Sequence, residues 1–305
     1  MAFNPANVLL QDAKTGNIPS EEGTLVLKEF MANSAVAQLA KYEEMTKPKK
    51  KFTYLADGPG AYWVTETERI QTSKATWLTA EMETRKLGVI LPVSKEFLKY
   101  SVSDFFTQMR PAIAEAFYKK FDQAALFGEG SPYAKGISVY ERITTAGNTI
   151  AKGSTTNLYT DINGVIALLE DGDHDFNGLT TTKSFKKDLR GALDVDNRPI
   201  FNEPTAGAAS TVLGEPVSYV AKGSFDTTKA LALAGDWDMA RYGILQGIEY
   251  AVSEDATLTT IQDADGNPIN LFERDMFALR ATMHVGFMTL KEDAFAALTP
   301  AVVTP

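Results

Sequence analysis

The chain has 305 residues, of which 44% are hydrophobic and 23% charged, and its formal net charge is −9 at pH 7. It contains no cysteine and only two histidines, which excludes disulfides and thiolate metal sites and leaves little material for a Ser-His-Asp triad. No apolar run approaches the roughly 18 residues of a membrane helix, and an acidic chain is poorly suited to specific nucleic-acid binding.

Residues 1–48 are predicted to form an N-terminal arm. Asn, Gln, Gly and Pro are spread through its first part, where short apolar pairs are suited to docking on another subunit, and residues 24–45 are predicted to be helical. The first residues lack a basic segment followed by an apolar one, so we expect no signal peptide and a cytoplasmic product. The basic segment 47–51 is interpreted as solvated or subunit-contacting, with nucleic-acid contact as the alternative.

Residues 49–82 are predicted to form a long extended hairpin. Polar and apolar residues alternate over 51–55, a Gly-Pro-rich turn follows at 57–60, and strand character returns at 75–78 after a polar stretch. A hairpin of this length cannot cover both of its own faces, so we expect it to need a neighbour, from this subunit or another. The residues predicted to make inter-subunit contacts are Lys50, Trp63, Glu66, Glu68, Arg69, Ile70 and Lys74.

A buried strand is predicted at 86–93, and the clearest helix at 104–127, with Ser103 as its N-cap and Gly128 as its end. Pro111 is expected to kink this helix. Apolar side chains recur at spacings of three and four residues, which predicts one buried face. The residues on that face are Phe106, Met109, Ile113, Phe117 and Phe121.

The rest of the chain is predicted to form a second α/β unit that ends with a return to the first sheet. Residues 138–157 are interpreted as a loop or crossover, and 263–268 as a turn. Helices are predicted at 161–169, 182–193 and 271–277, strands at 218–221, 230–234 and 242–245, and a final strand region at 276–290.

The sharpest local candidate is the acidic turn at 171–178, in which Asp173, Asp175 and Asn177 match the opening of a calcium-binding loop. The twelfth position is Ser184 instead of Glu, so the bidentate ligand is missing. We therefore interpret the segment as a solvated acidic turn with an exposed His174, and keep a weak cation site as the alternative.

Carboxylate pairs recur elsewhere, but two residues of spacing do not place two carboxylates across a cleft. The pairs are Asp194/Asp196, Asp236/Asp238 and Glu66/Glu68. The tryptophans are interpreted as packing anchors, and His284 as a core or interface residue. The sequence therefore predicts no catalytic, cofactor-binding or metal-binding residues.

Three stretches together carry a resemblance to a known family. They are GAYWVTETERIQTSKATWLTAEMETRKLGVILPVSKEFLKYS at 60–101, DFFTQMRPAIAEAFYKKFDQAALFGEGSPYAKGI at 104–137 and NLFERDMFALRATMHVGFMTLKEDAFAALT at 270–299. Between them, TTTKSFKKDLRGALDVDNRPIF at 180–201 is similar to the family's axial-domain helix and turn. In this order and spacing the stretches resemble the HK97-like major capsid proteins of tailed bacteriophages.

The resemblance implies an α+β HK97-like fold and a structural protein, not an enzyme. Its expected parts are an N-terminal arm at 1–48, an extended loop at 49–82, a peripheral domain at 83–140 and 262–305 with a spine helix at 104–127, and an axial domain at 141–261. The expected product is an icosahedral shell of hexamers and pentamers that encloses double-stranded DNA without sequence-specific binding. A separate scaffolding protein and a portal protein are the implied partners, and the virion is the implied location after assembly in the host cytoplasm.

Two departures from the family pattern carry expectations of their own. The arm begins at residue 1, so a cleaved internal-scaffold segment is expected to be absent, and either a separate scaffold exists or this is the mature chain. Ile70 stands where some relatives have a crosslinking lysine, which predicts particles without covalent crosslinks between subunits. Two alternatives stay open: an encapsulin-like nanocompartment of the same fold, and a hydrolase that uses a pair of facing carboxylates.

Overall fold

The computed structural model describes residues 20–57, 60–64, 66, 69, 72–73, 76–155, 157–193, 196, 198–202, 210–262 and 266–301, without the side chains of 20–26, 54–57, 76, 96–108 and 202. Much of the predicted arm and of the loop tip therefore lies outside the described residues. The same holds for Glu68, Ile70, Lys74 and Asp194, and for the side chain of Phe106.

The described residues form a mixed α+β fold. Its helices are α1 (Ser20–Asn33), α2 (Ala35–Leu39), α3 (Lys95–Phe127), α4 (Val139–Ala146), α5 (Leu158–Glu170) and α6 (Lys186–Arg190). Its strands are β1 (Lys41–Tyr42), β2 (Lys49–Asp57), β3 (Thr76–Ser94), β4 (Thr149–Ala151), β5 (Gly178–Thr182), β6 (Phe201–Asn202), β7 (Thr211–Val212), β8 (Glu215–Val220), β9 (Ala232–Gly235), β10 (Ala240–Ser253), β11 (Thr257–Gln262), β12 (Pro268–Asn270), β13 (Met276–Thr289) and β14 (Phe295–Thr299). None of the helices in these described ranges is long and apolar enough to cross a membrane.

A five-stranded sheet in the order β1-β10-β13-β3-β2 carries helices α1 and α3 on one face. Phe121 of α3 lies at the centre of this packing, with its ring centroid 5.5 Å from Phe30, 6.3 Å from Tyr242 and 6.2 Å from Phe287. Burial of large apolar side chains supplies most of the stability of such a layer. Helix α3 and strand β13 therefore share one core.

A seven-stranded sheet in the order β4-β14-β9-β5-β8-β7-β6 forms the second unit. Helix α5 buries Ile162, Val165 and Leu169 against it, in a cluster separate from the first core. Strands β5 and β8 are parallel neighbours, while β9 is antiparallel to β5. The second unit thus has its own hydrophobic core.

The first half of the chain differs from the predicted elements at four places. Residues 86–93, predicted as a buried strand, lie in β3 without a buried residue, and Ile90 is 50% exposed. The predicted helix at 24–45 is divided at Ser34, which caps α2, and the chain continues into strand β1. The spine helix begins at Lys95, so Ser103 lies inside it and is not its cap. Residues 139–146, predicted as a loop, form α4 because Ser138 and Glu141 make a reciprocal capping box.

The second half also contains corrections. The helix predicted at 182–193 is reduced to the five residues of α6, and Leu271 begins a turn and not the predicted helix at 271–277. The strand predicted at 242–245 extends over all of β10. Strand pairing also crosses the expected domain bounds, because β10 pairs with β13 in the first sheet and β14 joins the second.

Candidate inter-subunit surface

Strands β2 and β3 form the predicted hairpin. They pair antiparallel from Lys49 opposite Glu83 to Leu55 opposite Trp77. From Thr84 onward, the same strand β3 pairs with β13 instead. One strand of 19 residues therefore belongs both to the central sheet and to the hairpin that projects from it.

Ion pairs fix the root of the hairpin to the rest of the subunit. Lys50 Nζ donates to Glu43 Oε2 at 2.9 Å and to the Glu44 carbonyl at 3.1 Å. Arg241 of β10 donates to the same Glu43 side chain. The hydrogen bond from Lys50 is the main cause that lowers the pKa of Glu43, and Arg241 adds to it. The polar contacts of Lys50 in the described residues are therefore within its own chain, and its contact with a neighbour stays a prediction.

Methionine side chains fill the space beneath the root. Met45, Met82 and Met288 form a buried cluster on the sheet face opposite α3. Gly243 permits this approach, because a Cβ there would lie 2.5 Å from Met45 Cγ and 2.7 Å from the Glu43 carbonyl oxygen. The hairpin is thus rigidly seated where it leaves the sheet.

Beyond the root, the hairpin exposes large aromatic side chains. Trp63 is 104% exposed, Trp77 63% and Tyr62 49%, and Leu78 is exposed beside them. Such an apolar surface on one chain is typical of a protein–protein contact. In the single subunit Trp63 and Trp77 are therefore not the packing anchors that the sequence predicts.

The polar part of the predicted loop is described only in fragments. Glu66 and Arg69 are exposed, and their expected partners on a neighbouring subunit stay a prediction. His284 is half-buried on β13, opposite Lys86 of β3 and Gln246 of β10. On the loop, the contact surface is therefore argued from the exposed aromatic side chains and not from the charged ones.

The spine helix α3 packs against strands β3 and β13 of the five-stranded sheet. Ile113, Phe117 and Phe121 are buried, and Met109 packs partly buried against the same cluster. Pro111 lies inside the continuous helix and its ring is exposed to solvent. These side chains are occupied with the subunit's own core, which leaves the other faces of the subunit for contacts.

A buried carboxylate that the sequence analysis missed joins this helix to the N-terminal arm. Asp122 accepts hydrogen bonds from Ser34 Oγ at 2.6 Å, Ala35 N at 3.0 Å and Val36 N at 3.3 Å. It therefore satisfies backbone donors at the start of α2. Burial raises the pKa of Asp122 to about 7, although the three hydrogen bonds act in the opposite direction.

The acidic turn differs from its prediction in the position of His174. The imidazole is 4% exposed and not solvated, with Nε2 3.1 Å from Asp293 Oδ1 and Nδ1 3.6 Å from Asp236 Oδ2. Both partners are more than 60 positions away in sequence, so no local pattern indicates them. His174 thus fixes the turn to two other segments.

One of the proposed cation ligands, Asn177, has another role. Asn177 donates to Asp236 and accepts from the Trp237 amide at 2.8 Å, and Asp236 also caps the turn at Asp238. Within the described ranges, no group of three or more His, Asp or Glu side chains could hold a metal ion. The pair Asp236/Asp238 is therefore explained by capping.

Comparisons with known proteins agree with one another. The model of the "Phage capsid family" matches residues 16–299. The major capsid protein of Staphylococcus phage 80alpha is 44% identical over 300 residues, which are 98% of this chain and 90% of that protein. A probable major capsid protein of Mycobacterium phage D29 is 25% identical and covers 94% of this chain and 91% of its own length. A chain of solved structure from Microbacterium phage Oxtober96 superimposes with a TM-score of 0.75 at 29% identity, over 88% of this chain and 91% of that chain.

Proposed function

The chain belongs to the phage capsid family, and from this premise we propose that its hairpin supplies the contact that joins one subunit to the next. It is a major capsid protein of the tailed-phage type with an HK97-like fold, a component of the virion that assembles with copies of itself into a shell. This identity places the chain in a family of structural proteins.

The exposed aromatic surface of the hairpin carries the proposal. Trp77 lies in strand β3, whose other end is fixed by β13, and Tyr62 and Trp63 lie in the segment 60–64 between β2 and β3. Left in water, these rings forgo the stabilisation that burial gives, and a long uncovered hairpin also invites unwanted edge pairing. A second subunit that covers them gains this stabilisation, and the contact is repeated at every position in a shell.

The remaining parts are assigned on the family pattern. We assign residues 1–48 to the arm, 49–82 to the extended loop, 83–140 and 262–305 to the peripheral domain and 141–261 to the axial domain, with β10 pairing into the first sheet and β14 into the second across these bounds. Assembly of hexamers and pentamers in the host cytoplasm, with a separate scaffolding protein and a portal, is part of the same proposal. The net charge of −9 supports enclosure of DNA without a strong grip on its phosphates.

A loop replacement tests the proposed contact. Replacing residues 62–76 with a short Gly-Ser turn should leave a soluble folded subunit, because the Lys50–Glu43–Arg241 anchor and the methionine cluster remain. Shells, measured by sedimentation and negative-stain microscopy with wild type in parallel, should be lost.

A second variant separates the aromatic surface from the polar tip. Replacing only residues 65–73 keeps Tyr62, Trp63 and Trp77, so this variant should retain assembly that the larger replacement loses. Normal shells from the 62–76 variant would show that the hairpin is not an essential contact. A wild-type chain that stays a compact monomer under all salt and scaffold conditions would contradict assembly itself.

The encapsulin-like alternative shares the fold but differs in what the shell encloses. Similarity to phage major capsid proteins over nearly the whole chain favours the phage shell. The hydrolase alternative needs two carboxylates that face each other across a cleft. Among the described residues, Asp236 is instead engaged by Asn177 and Asp238, so no observation supports it there.

A further inference from the structure

A groove of about 730 Å³ lies where the spine helix α3 meets the carboxyl ends of β5 and β8. Because these strands are parallel and Thr182 pairs with Val220, Lys183 and Lys222 leave the sheet at the same edge. Both lysines line the groove and are exposed, and neither makes an ion pair with the described residues. The groove therefore carries two positive charges that the described residues do not neutralise.

The α3 wall of the groove does not cancel these charges. Tyr118 and Glu115 line the groove from α3, and among the described residues Glu115 is the one carboxylate that lines it. Its carboxylate is already paired with Lys119, one turn further along the helix. A ligand with negative charge on an ordered segment would complement the groove.

Such a segment lies at the other end of β5, in the turn 170–175. The side chains of Glu170, Asp171, Asp173 and Asp175 are exposed there, and none makes an ion pair with the described part of the chain. His174, buried between Asp236 and Asp293, holds the turn in place. The turn thus presents several uncompensated carboxylates from a fixed backbone.

The two features cannot meet within one subunit. Strand β5 has five residues, so it separates the turn from the lysines by roughly 15 Å. A subunit with complementary surfaces at two separate places makes head-to-tail contacts, and such contacts close into rings when the rotation between copies allows it. A second copy of this chain is therefore the occupant with the required charge and placement.

We propose that the acidic turn 170–175 of one copy docks into the groove lined by Lys183 and Lys222 of the next copy around a capsomer ring. The inference rests on the proposed shell function and adds a specific contact within each ring. Each exposed ion pair is weak by itself. Because the ion pairs are repeated around the ring and the turn is held in place, together they stabilise the ring. They also fix the direction in which the subunits follow one another.

Charge reversal tests the contact from both sides. The base-reversed variant Lys183→Glu/Lys222→Glu and the acid-reversed variant Glu170→Lys/Asp171→Lys/Asp175→Lys each place like charges opposite one another. Ring formation by each should fall at least about tenfold, because like-charge juxtaposition is strongly unfavourable. The five changes combined in one chain should restore ring formation. Asp173 is left unchanged because its φ of 58° suits few other side chains.

A mixture of the two reversed variants gives a signature that misfolding would not produce. In the mixture, each basic turn can meet an acidic groove and each acidic turn a basic groove, so the two proteins must alternate. Alternation closes a ring of six but not a ring of five. We expect the mixture to recover hexameric rings, tubes or flat sheets without pentamer-containing closed shells, as seen by microscopy and native mass spectrometry.

The control variant Lys135→Glu/Lys187→Glu carries the same change in net charge at exposed lysines outside the groove, and it should assemble like wild type. Assembly of the base-reversed variant at the level of this control would overturn the contact. So would a failure of both the combined variant and the mixture to form rings. If wild type itself forms no capsomers or shells, the proposed function fails and not this contact alone.

Discussion

Trp237 and Trp63 occupy opposite environments in the same chain. Trp237 is 1% exposed, packs edge-on against Phe295 at 5.5 Å and donates its indole N–H to the Gly178 carbonyl at 3.0 Å. Trp63 is fully exposed on the hairpin. One region of the molecule completes its packing and hydrogen bonding alone, and the other leaves its largest side chain for a partner.

This difference separates folding from assembly. Substitutions in the first region should change the free energy of unfolding of the subunit, whereas substitutions in the second should change its association. Both regions contain aromatic residues in similar local patterns, so composition does not distinguish them. The strand partners do, because β13 and β10 hold the core while β2 pairs with β3 alone.

The largest expected effect contrasts Phe117 with Trp63. Phe117→Ala should lower the free energy of unfolding by about 3–5 kcal/mol, because it leaves a cavity beneath the spine helix. Trp63→Ala should change it by less than about 0.5 kcal/mol, since an exposed side chain loses no packing within the subunit. Urea denaturation of unassembled subunits measures both. Equal effects would remove the distinction between the two regions.

Protonation of the buried Asp122 should make the free energy of unfolding depend on pH. Its pKa is about 7 in the folded subunit and about 3.9 in an unfolded chain, so the folded state holds the additional proton between these values. The free energy of unfolding should therefore fall by about 2–4 kcal/mol as the pH rises through this window, and stay level above it.

Asp122→Asn should remove this slope, while Glu115→Gln, an exposed change on the same helix, should keep it. The diagnostic quantity is the difference in slope and not the absolute stability, because an amide cannot accept from all three donors that contact the carboxylate. Identical pH profiles for wild type and Asp122→Asn would show that Asp122 does not titrate in this range.

A smaller effect is expected from a pair of glycine substitutions. A Cβ at Gly235 would collide with the Phe295 ring and lie 2.9 Å from the Ala294 carbonyl oxygen, whereas a Cβ at Gly247 meets nothing within 4 Å. Gly235→Ala should therefore cost about 1–3 kcal/mol by overpacking. Gly247→Ala should be close to neutral, and thermal unfolding of the two variants provides the comparison.

Much of the fold follows from local pattern. Alternation around 51–55 and 75–78 predicts the hairpin, and the periodic apolar side chains of 113–121 predict the buried face of the spine helix. The sequence predicts a start for that helix that is too late, because 95–103 has no comparable apolar stripe. Strand β10 was predicted too short, since register shifts between Ile244 and Glu249 break its alternation.

The parts that sequence could not predict depend on distant contacts. Asp122 is buried in contact with Ser34. The two residues are 88 positions apart in sequence, so no local pattern indicates the contact. His174 is buried because Asp236 and Asp293 come from separate segments. The lysine-lined groove likewise requires the parallel pairing of β5 and β8, which the order of elements alone does not specify.

Strand β3 has a mechanical consequence. At 19 residues it is roughly 60 Å long, and its partner changes from β2 to β13 between Glu83 and Thr84 without a gap. A pull on the loop along the strand loads the β3–β13 hydrogen bonds in shear, so they share the force and need not open one after another. A force applied at the outer end of the hairpin is thereby transmitted through β3 to β13, the central strand of the five-stranded sheet.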